Sequence, residues 1–540
     1  MTGTFDVCII GAGPAGLACL SAIRSPYSLD TLTEGQVILA EQALQQRQTQ
    51  QQHQYQQGSK NQAQQRRDKQ RICVVDSQDW MEGWQKKFDA LRIQFLRSPA
   101  LAHPNLFDQN ALLAYAELHG RQNELYESGC FEISKLLPLG QSQIGLWKLP
   151  STQLFVDFCH DMVQSLPHDF VRASATSVHP ISSDKNDDNN VDGDNEQSFK
   201  VQLSTGDFIV TKAVILAMGT VGAPIVPRGL AKAPRMVQWY AEPNPHYHQL
   251  ASSSSSSSSS SCPPPPLSRP VPQQNSRRVL VVGGGLTAVQ TAQKWATDTT
   301  TNTVVLCSRK PLVEKHFDVG IEWFDKRTSN KCLSDFYHRS LEERLYLLKS
   351  TRGGGSVPPI YMRDLERLQQ LGKLKCVVGE PIYDHNHNTN INNGATDNDE
   401  VAMSVSINDT QYRFDLVVLA CGVRPDCESN PLLQQLIRQW PVPIKGGFPS
   451  VTEDMEWSRE YSDANGIFVA GALGSLNLGP DAGNLMGAKR SAQLIANVLS
   501  CRSWLRESDV LQNRFSLFWS DSDSESDSDD SDSDDSDLED

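Results

Sequence analysis

Two glycine runs mark where this sequence could do chemistry. The first, Gly11-Ala12-Gly13-Pro14-Ala15-Gly16, follows the apolar run Phe5-Asp6-Val7-Cys8-Ile9-Ile10 and opens a helical pattern over 17–23. This is G-x-G-x-x-G in a strand-turn-helix setting, where bare backbone and the unpaired N–H groups of a helix start can hold a pyrophosphate. Gly11, Gly13, Ala15 and Gly16 are the candidate contacts. Such a site also needs an acid at the end of the next strand, to accept hydrogen bonds from ribose hydroxyls. Asp76 closes the run Arg71-Ile72-Cys73-Val74-Val75 but lies 65 residues beyond Gly11; if 25–70 is an insertion, removing those 46 residues leaves a spacing of 19. Glu41, which follows Val37-Ile38-Leu39-Ala40 at a spacing of 30, is the competing candidate.

The second run, Gly283-Gly284-Gly285-Leu286-Thr287-Ala288, follows Arg278-Val279-Leu280-Val281-Val282 and fits G-x-G-x-x-A through Gly283, Gly285 and Ala288. Its next strand, Val304-Val305-Leu306, ends in Cys307-Ser308-Arg309-Lys310, basic where an NAD site would carry an acid. A guanidinium there pairs with a 2′-phosphate, so Ser308 and Arg309 favour NADPH; a merely solvated basic turn would leave NADH admissible. Two tandem cradles imply hydride relay, with FAD retained in the first and NADPH exchanged at the second.

Both cradles need parallel sheets with crossover helices to hold them. Short β-branched runs at 5–10, 71–75, 213–217, 279–282, 303–306, 416–420 and 467–470 alternate with helical patterns, giving an α/β class with two Rossmann-like domains. The runs 214–220, which includes Gly219, and 415–422 end on small residues and read as crossings between domains. The expected division is 1–226 as the first part of the FAD domain and 227–276 as a low-complexity linker. An inserted NAD(P)H domain over 277–414 follows, then 415–505 as the second FAD part and 506–540 as an acidic tail. The Gln-rich 42–70, the Asp/Asn-rich 183–197, the Ser/Pro run 252–266, the Asn-rich 385–399 and the tail hold too little apolar area to fold, and read as disordered insertions.

The formal net charge of −15 comes chiefly from twelve acidic residues in 521–540; without them it is −3, which argues against nucleic-acid partners. The Ser-Asp repeats of that tail fit either a solubilising segment or an acidophilic kinase target. None of the 12 cysteines forms C-x-x-C, and no metal site is expected. Cys8, Cys19 and Cys73 lie in apolar runs and read as buried free thiols of a cytoplasmic protein. No apolar stretch approaches a membrane span.

On these residues the chain resembles the flavin-dependent N-hydroxylating monooxygenases, the lysine N6-hydroxylase and ornithine N5-oxygenase group. Four further segments carry the resemblance: 80–104 with Leu96-Arg97-Ser98-Pro99, Leu146-Trp147-Lys148-Leu149-Pro150-Ser151, 316–324, and 471–492. The family's D-x-x-x-L/F-A-T-G-Y motif stands at 415–423 with Cys421 for Thr and Val423 for Tyr. The resemblance implies that Arg97 lies near the flavin, that Asp318 and Trp323 border the substrate cavity, and that Gly471 and Leu478-Gly479-Pro480-Asp481-Ala482-Gly483-Asn484 lie against the ring. The implied activity is an NADPH-oxidising monooxygenase acting through a C4a-hydroperoxyflavin on a small nucleophilic substrate, with O2 as co-substrate. No protein nucleophile is required and no catalytic base stands out. An NADPH oxidase or quinone-type reductase shares the architecture. So does a non-catalytic flavin-binding regulator. A disulfide reductase would need a cysteine pair at the flavin, for which Cys421 and Cys427 are the nearest candidates.

Overall fold

The computed structural model describes residues 3–24, 71–106, 108–127, 145–181, 198–234, 236–238, 277–299, 301–384 and 402–501. The expected insertions at 42–70, 183–197, 252–266 and 385–399, the acidic tail, and Glu41 lie outside these residues.

The first sheet has seven strands. Thr4–Ile10 lies at its centre, parallel to Ile72–Asp76 on one side and Phe208–Leu216 on the other. Residues 7–10, 72–75 and 213–216 of these strands are apolar and buried at every position, as the centre of a parallel sheet requires. Helix Pro14–Arg24 leaves directly from the strand end and packs against helix Leu485–Cys501. Cys8 and Cys73 are register partners on neighbouring strands, and both are buried, as is Cys19. Burial alone pushes the Cys19 thiol up to about 12, so it stays protonated.

Strand Phe208–Leu216 joins the two ends of the chain. Its first half pairs antiparallel with Ser198–Leu203, while its second half pairs parallel with Ile467–Val469. The last 35 or so described residues therefore complete the sheet that residue 4 begins, and the first domain is discontinuous. The antiparallel meander Ala175–Ile181, Ser198–Leu203 and Phe208–Leu216 is an addition to the expected parallel pattern.

The second sheet runs Met236–Gln238, Leu416–Leu419, Arg277–Val282, Thr301–Ser308, Leu374–Val378, all parallel. This corrects two expected boundaries. Leu416–Leu419, expected in the returning FAD segment, pairs with Arg277–Val282, and Met236–Gln238, inside the expected linker 227–276, forms the edge of this sheet. Leu416–Leu419 is buried at every position and paired on both sides, and Met236–Gln238 satisfies its outer backbone groups. The crossing itself is a two-stranded antiparallel ribbon, Gly222–Pro224 against Val423–Pro425, which follows Gly219 on one leg and Gly422 on the other.

Candidate functional site

The first cradle is built from three chain segments. Gly11 has φ 118°, and a Cβ there would stand 2.4 Å from the Ala217 carbonyl oxygen, so the turn closes only with glycine. Its amide donates to Val75 O at 2.9 Å, which locks the turn to the second strand. Gly16 lies so close to the turn that a Cβ would fall 1.9 Å from Gly11 O, whereas a Cβ on Gly13 would meet nothing within 4 Å. The face at Gly13 is therefore open, where a pyrophosphate needs bare backbone.

Asp76 is brought to this turn across the gap in sequence. One carboxylate oxygen accepts from Ala12 N at 2.8 Å and the other from Gln78 N at 2.9 Å. It therefore sits at the lip of the cradle, with further lone pairs for ribose hydroxyls. Met81, in the left-handed region at φ 63° and buried, donates its amide to Ala12 O at 2.9 Å and wraps the same turn. Nothing in the sequence signals that conformation. The C-terminal segment closes the remaining side: Gly471 has φ 67°, its amide donates to Ser491 Oγ at 3.0 Å, and a Cβ on it would come 3.3 Å from Ala15 Cβ. Gly219, at φ 69°, follows the third strand of the same edge and has open space beside it.

The second cradle repeats the turn. Gly283 has φ 153°, donates to Cys307 O at 2.9 Å, and would clash through a Cβ with Ala420 O at 2.3 Å and with Ala288 Cβ at 2.8 Å. Ser308 is buried beside Gly284, its hydroxyl donating to Lys310 O at 2.8 Å, while Arg309 is exposed. The basic turn thus stands at the strand end next to the cradle, its guanidinium facing solvent.

Between the cradles the expected lining residues converge, in altered roles. Arg97 donates from Nε to His316 O at 2.9 Å and from Nη1 to Ser356 O at 3.3 Å. Its Nη2 reaches both Lys315 O and Ser356 Oγ at 2.9 Å. Burial pushes its pKa down to about 10, with Asp318 opposing and Arg352 reinforcing the shift. Arg97 is thus a tie from the first domain to the inserted one. Asp318 accepts from Asn484 Nδ2 at 3.1 Å and lies 3.8 Å from Arg352, whose Nε donates to Pro480 O at 3.0 Å. The loop 478–484 is pinned from below by Arg490, bidentate to fully buried Asp481 at 2.9 and 3.0 Å. Trp323 is buried in an apolar cluster with Phe317, Phe324 and Phe336, its ring edge 3.2 Å from where a Cβ on Gly479 would stand. It supports the loop from beneath. Sequence reading missed Arg352 and Ser356, whose only signal was the Gly353-Gly354-Gly355 run between them.

Cys421 and Cys427 do not form a pair facing a common site. Cys421 packs on the core of the inserted domain and donates to Val282 O at 3.3 Å, while Cys427 is buried in the core of the first domain. No group of three or more His, Cys, Asp or Glu that could hold a metal occurs among the described residues, and no described helix is long and apolar enough to cross a membrane.

Two glycine cradles, one on a mixed sheet and one on a parallel sheet, with one domain inserted in the other, define a two-dinucleotide-binding α/β fold. Solved structures with this fold include an ornithine N-hydroxylase from Kutzneria sp. 744, determined with reduced FAD, NADP+ and L-ornithine. It has a TM-score of 0.57 and 14% identity, covering 93% of this chain and 100% of that one. The ornithine hydroxylase PvdA from Pseudomonas aeruginosa matches at TM-score 0.55 and 14% identity, over 92% of this chain and 99% of that one. The L-lysine 6-monooxygenase from Pseudomonas syringae matches at TM-score 0.51 and 14% identity, over 92% and 99%. No family model and no curated protein matches the sequence. The likeness to N-hydroxylating flavin monooxygenases expected from the motifs therefore holds at the level of fold.

Proposed function

We propose that the chain is an FAD-dependent, NADPH-oxidising monooxygenase acting on a small nucleophilic substrate. The observation that carries this reading is the convergence of Arg97, Asp318 and the loop 478–484 between two glycine cradles, one of which has an open face at Gly13. Gly11, Gly13, Ala15, Gly16, Asp76, Gly219 and Gly471 would hold FAD; Gly283, Gly285, Ala288, Ser308 and Arg309 would hold NADPH. A bound flavin supplies hydride acceptance from the nicotinamide and activation of O2 at its C4a position.

The chain's own residues do the rest. Asp76 fixes the adenosine end through the ribose, and the start of helix Pro14–Arg24 offers unpaired N–H groups to the pyrophosphate. Arg97 holds the inserted domain in place by four hydrogen bonds to carbonyl and hydroxyl oxygens of 315, 316 and 356. The aromatic cluster around Trp323 shields one side of the junction from water, which an oxygen-activating site needs.

The test begins with the absorbance of the purified protein, which should show flavin bands. Anaerobic titration should bleach them with NADPH at lower concentrations than with NADH. On mixing with O2 in stopped flow, a transient oxygen-adduct absorbance marks a monooxygenase, whereas direct return to oxidised flavin marks an oxidase or reductase. A colourless protein that stays colourless after added FAD would end the proposal.

A further inference from the structure

The run Gly353-Gly354-Gly355-Ser356 belongs to neither glycine motif, yet it lies on the second one. A Cβ on Gly355 would come within 2.5 Å of Gly285 Cα, 2.6 Å of Gly285 N and 2.7 Å of Gly284 O. The two backbones are therefore in van der Waals contact, over the glycine that G-x-G-x-x-A keeps bare so that a pyrophosphate can approach. The equivalent Gly13 of the first cradle has nothing within 4 Å of the same position.

We propose that residues 353–356 form a strap over the second phosphate cradle, and that NADPH gains the Gly285 backbone only when the strap lifts. This rests on the reading that the second cradle holds NADPH. The geometry allows the motion at small cost. Gly353, Gly354 and Gly355 are exposed, and Gly353 and Gly354 have φ of 62° and 93°. Neither the Gly354 nor the Gly355 amide donates to a backbone carbonyl among the described residues.

Both ends of the strap are anchored on the first domain. Upstream, Arg352 donates to Pro480 O at 3.0 Å; downstream, buried Ser356 accepts from Arg97 at its carbonyl and at its hydroxyl. Lifting the centre therefore loads the two arginines that stand beside Asp318 and the loop 478–484, so dinucleotide occupancy at one cradle is felt at the other. A strap closed for part of the time lowers the apparent affinity by the fraction of time it is open.

Gly355→Ala tests this, because φ at 355 is not in the left-handed region and the three atoms nearest the added methyl all belong to the cradle. NADP+ titrated into FAD-loaded protein should bind the variant about threefold or more tighter than the wild type. Hydrogen exchange on the unmutated protein gives a second, independent readout: NADP+ should raise exchange at the amides of 354–356. Weaker binding by Gly355→Ala, or protection of 354–356 by NADP+, would show that the strap clamps the nucleotide and would overturn the proposal. If NADP+ binds neither protein, the nucleotide assignment falls and the strap falls with it; binding with the wrong sign sinks the strap alone.

Discussion

The two cradles share a turn and differ in everything around it. At the first, three separated segments close in: Asp76 and Met81 grip Ala12 from one side, Gly471 touches Ala15 from another, and the Gly13 face is left open. At the second, the phosphate-facing glycine is covered by Gly355, and the basic strand end at Arg309 stands in solvent. Many fixed contacts around an open face suit a cofactor that is bound once and kept. A covered face beside an exposed cation suits one that arrives and leaves. The glycine motif alone does not separate the two; the neighbours do.

The largest effect should come from substitutions that contrast two glycines of the first turn. Gly16→Ala places a Cβ 1.9 Å from Gly11 O and should abolish the turn, giving protein that is insoluble or unfolds well below wild type in a thermal melt. Gly13→Ala meets nothing within 4 Å, so the flavin-free protein should melt like the flavin-free wild type while failing to take up FAD. Equal melting of both variants would break the claim that the first turn is rigid on its protein side and free on its ligand side.

Acid should also separate the regions. His103 is fully buried in the first domain, with Nε2 at 2.9 Å from Gln109 O and Nδ1 unpartnered, and burial pushes its pKa down to about 3. The unfolded chain takes up that proton first, near the ordinary value of 6.5, so the stabilisation is complete above pH 6.5 and is lost progressively down to about 3. At ~1.4 kcal/mol per unit the loss amounts to several kcal/mol. Urea unfolding followed by flavin release should show this slope, and His103→Gln should flatten it. An unchanged slope in the variant would assign the acid sensitivity elsewhere.

At the second cradle the exposed cation carries the smaller prediction. Arg309→Ala should remove one charge-assisted contact to a 2′-phosphate, about 2 kcal/mol, raising KM for NADPH by roughly thirtyfold and leaving kcat and the NADH kinetics unchanged. An equal loss with both coenzymes would make Arg309 a solvated turn residue.

How far these differences could be read from sequence depends on their range along the chain. The cradles were legible because each motif sits within six residues and its strand-turn-helix setting is local. Asp76 was reached only by leaving a low-complexity segment out of the count, and the bond its carboxylate makes to Ala12 N has no counterpart in that spacing. The destination of Leu416–Leu419 was not legible, since a short apolar strand fits either sheet and only pairing decides. Arg97 shows the same limit. Its partners lie 218 to 259 residues away and are mostly backbone carbonyls, which leave no trace in side-chain identity. The Gly353-Gly354-Gly355 run fits neither nucleotide motif, and nothing in the sequence marks its contact with the triple glycine 70 residues earlier.

The smallest expected effect is the sharpest test of how the first cradle is held. Asp76→Asn keeps one acceptor oxygen, which can still take either Ala12 N at 2.8 Å or Gln78 N at 2.9 Å, but not both as the carboxylate does. The amide nitrogen must then face a backbone N–H, donor against donor, and one of the two turns loosens. Exchanging a charge-assisted bond for a neutral one should cost about 1 kcal/mol, or roughly fivefold in FAD affinity. Binding of NADP+ at the second cradle should not change, because the Asp76 carboxylate bonds Ala12 N and Gln78 N, both in the first domain. Were FAD affinity unaffected while the melting temperature fell, Asp76 would be a brace for the glycine turn and the ribose would be held by another group. Were both to fall together, the same carboxylate would serve the turn and the cofactor, which is the arrangement the two short hydrogen bonds and the remaining lone pairs favour.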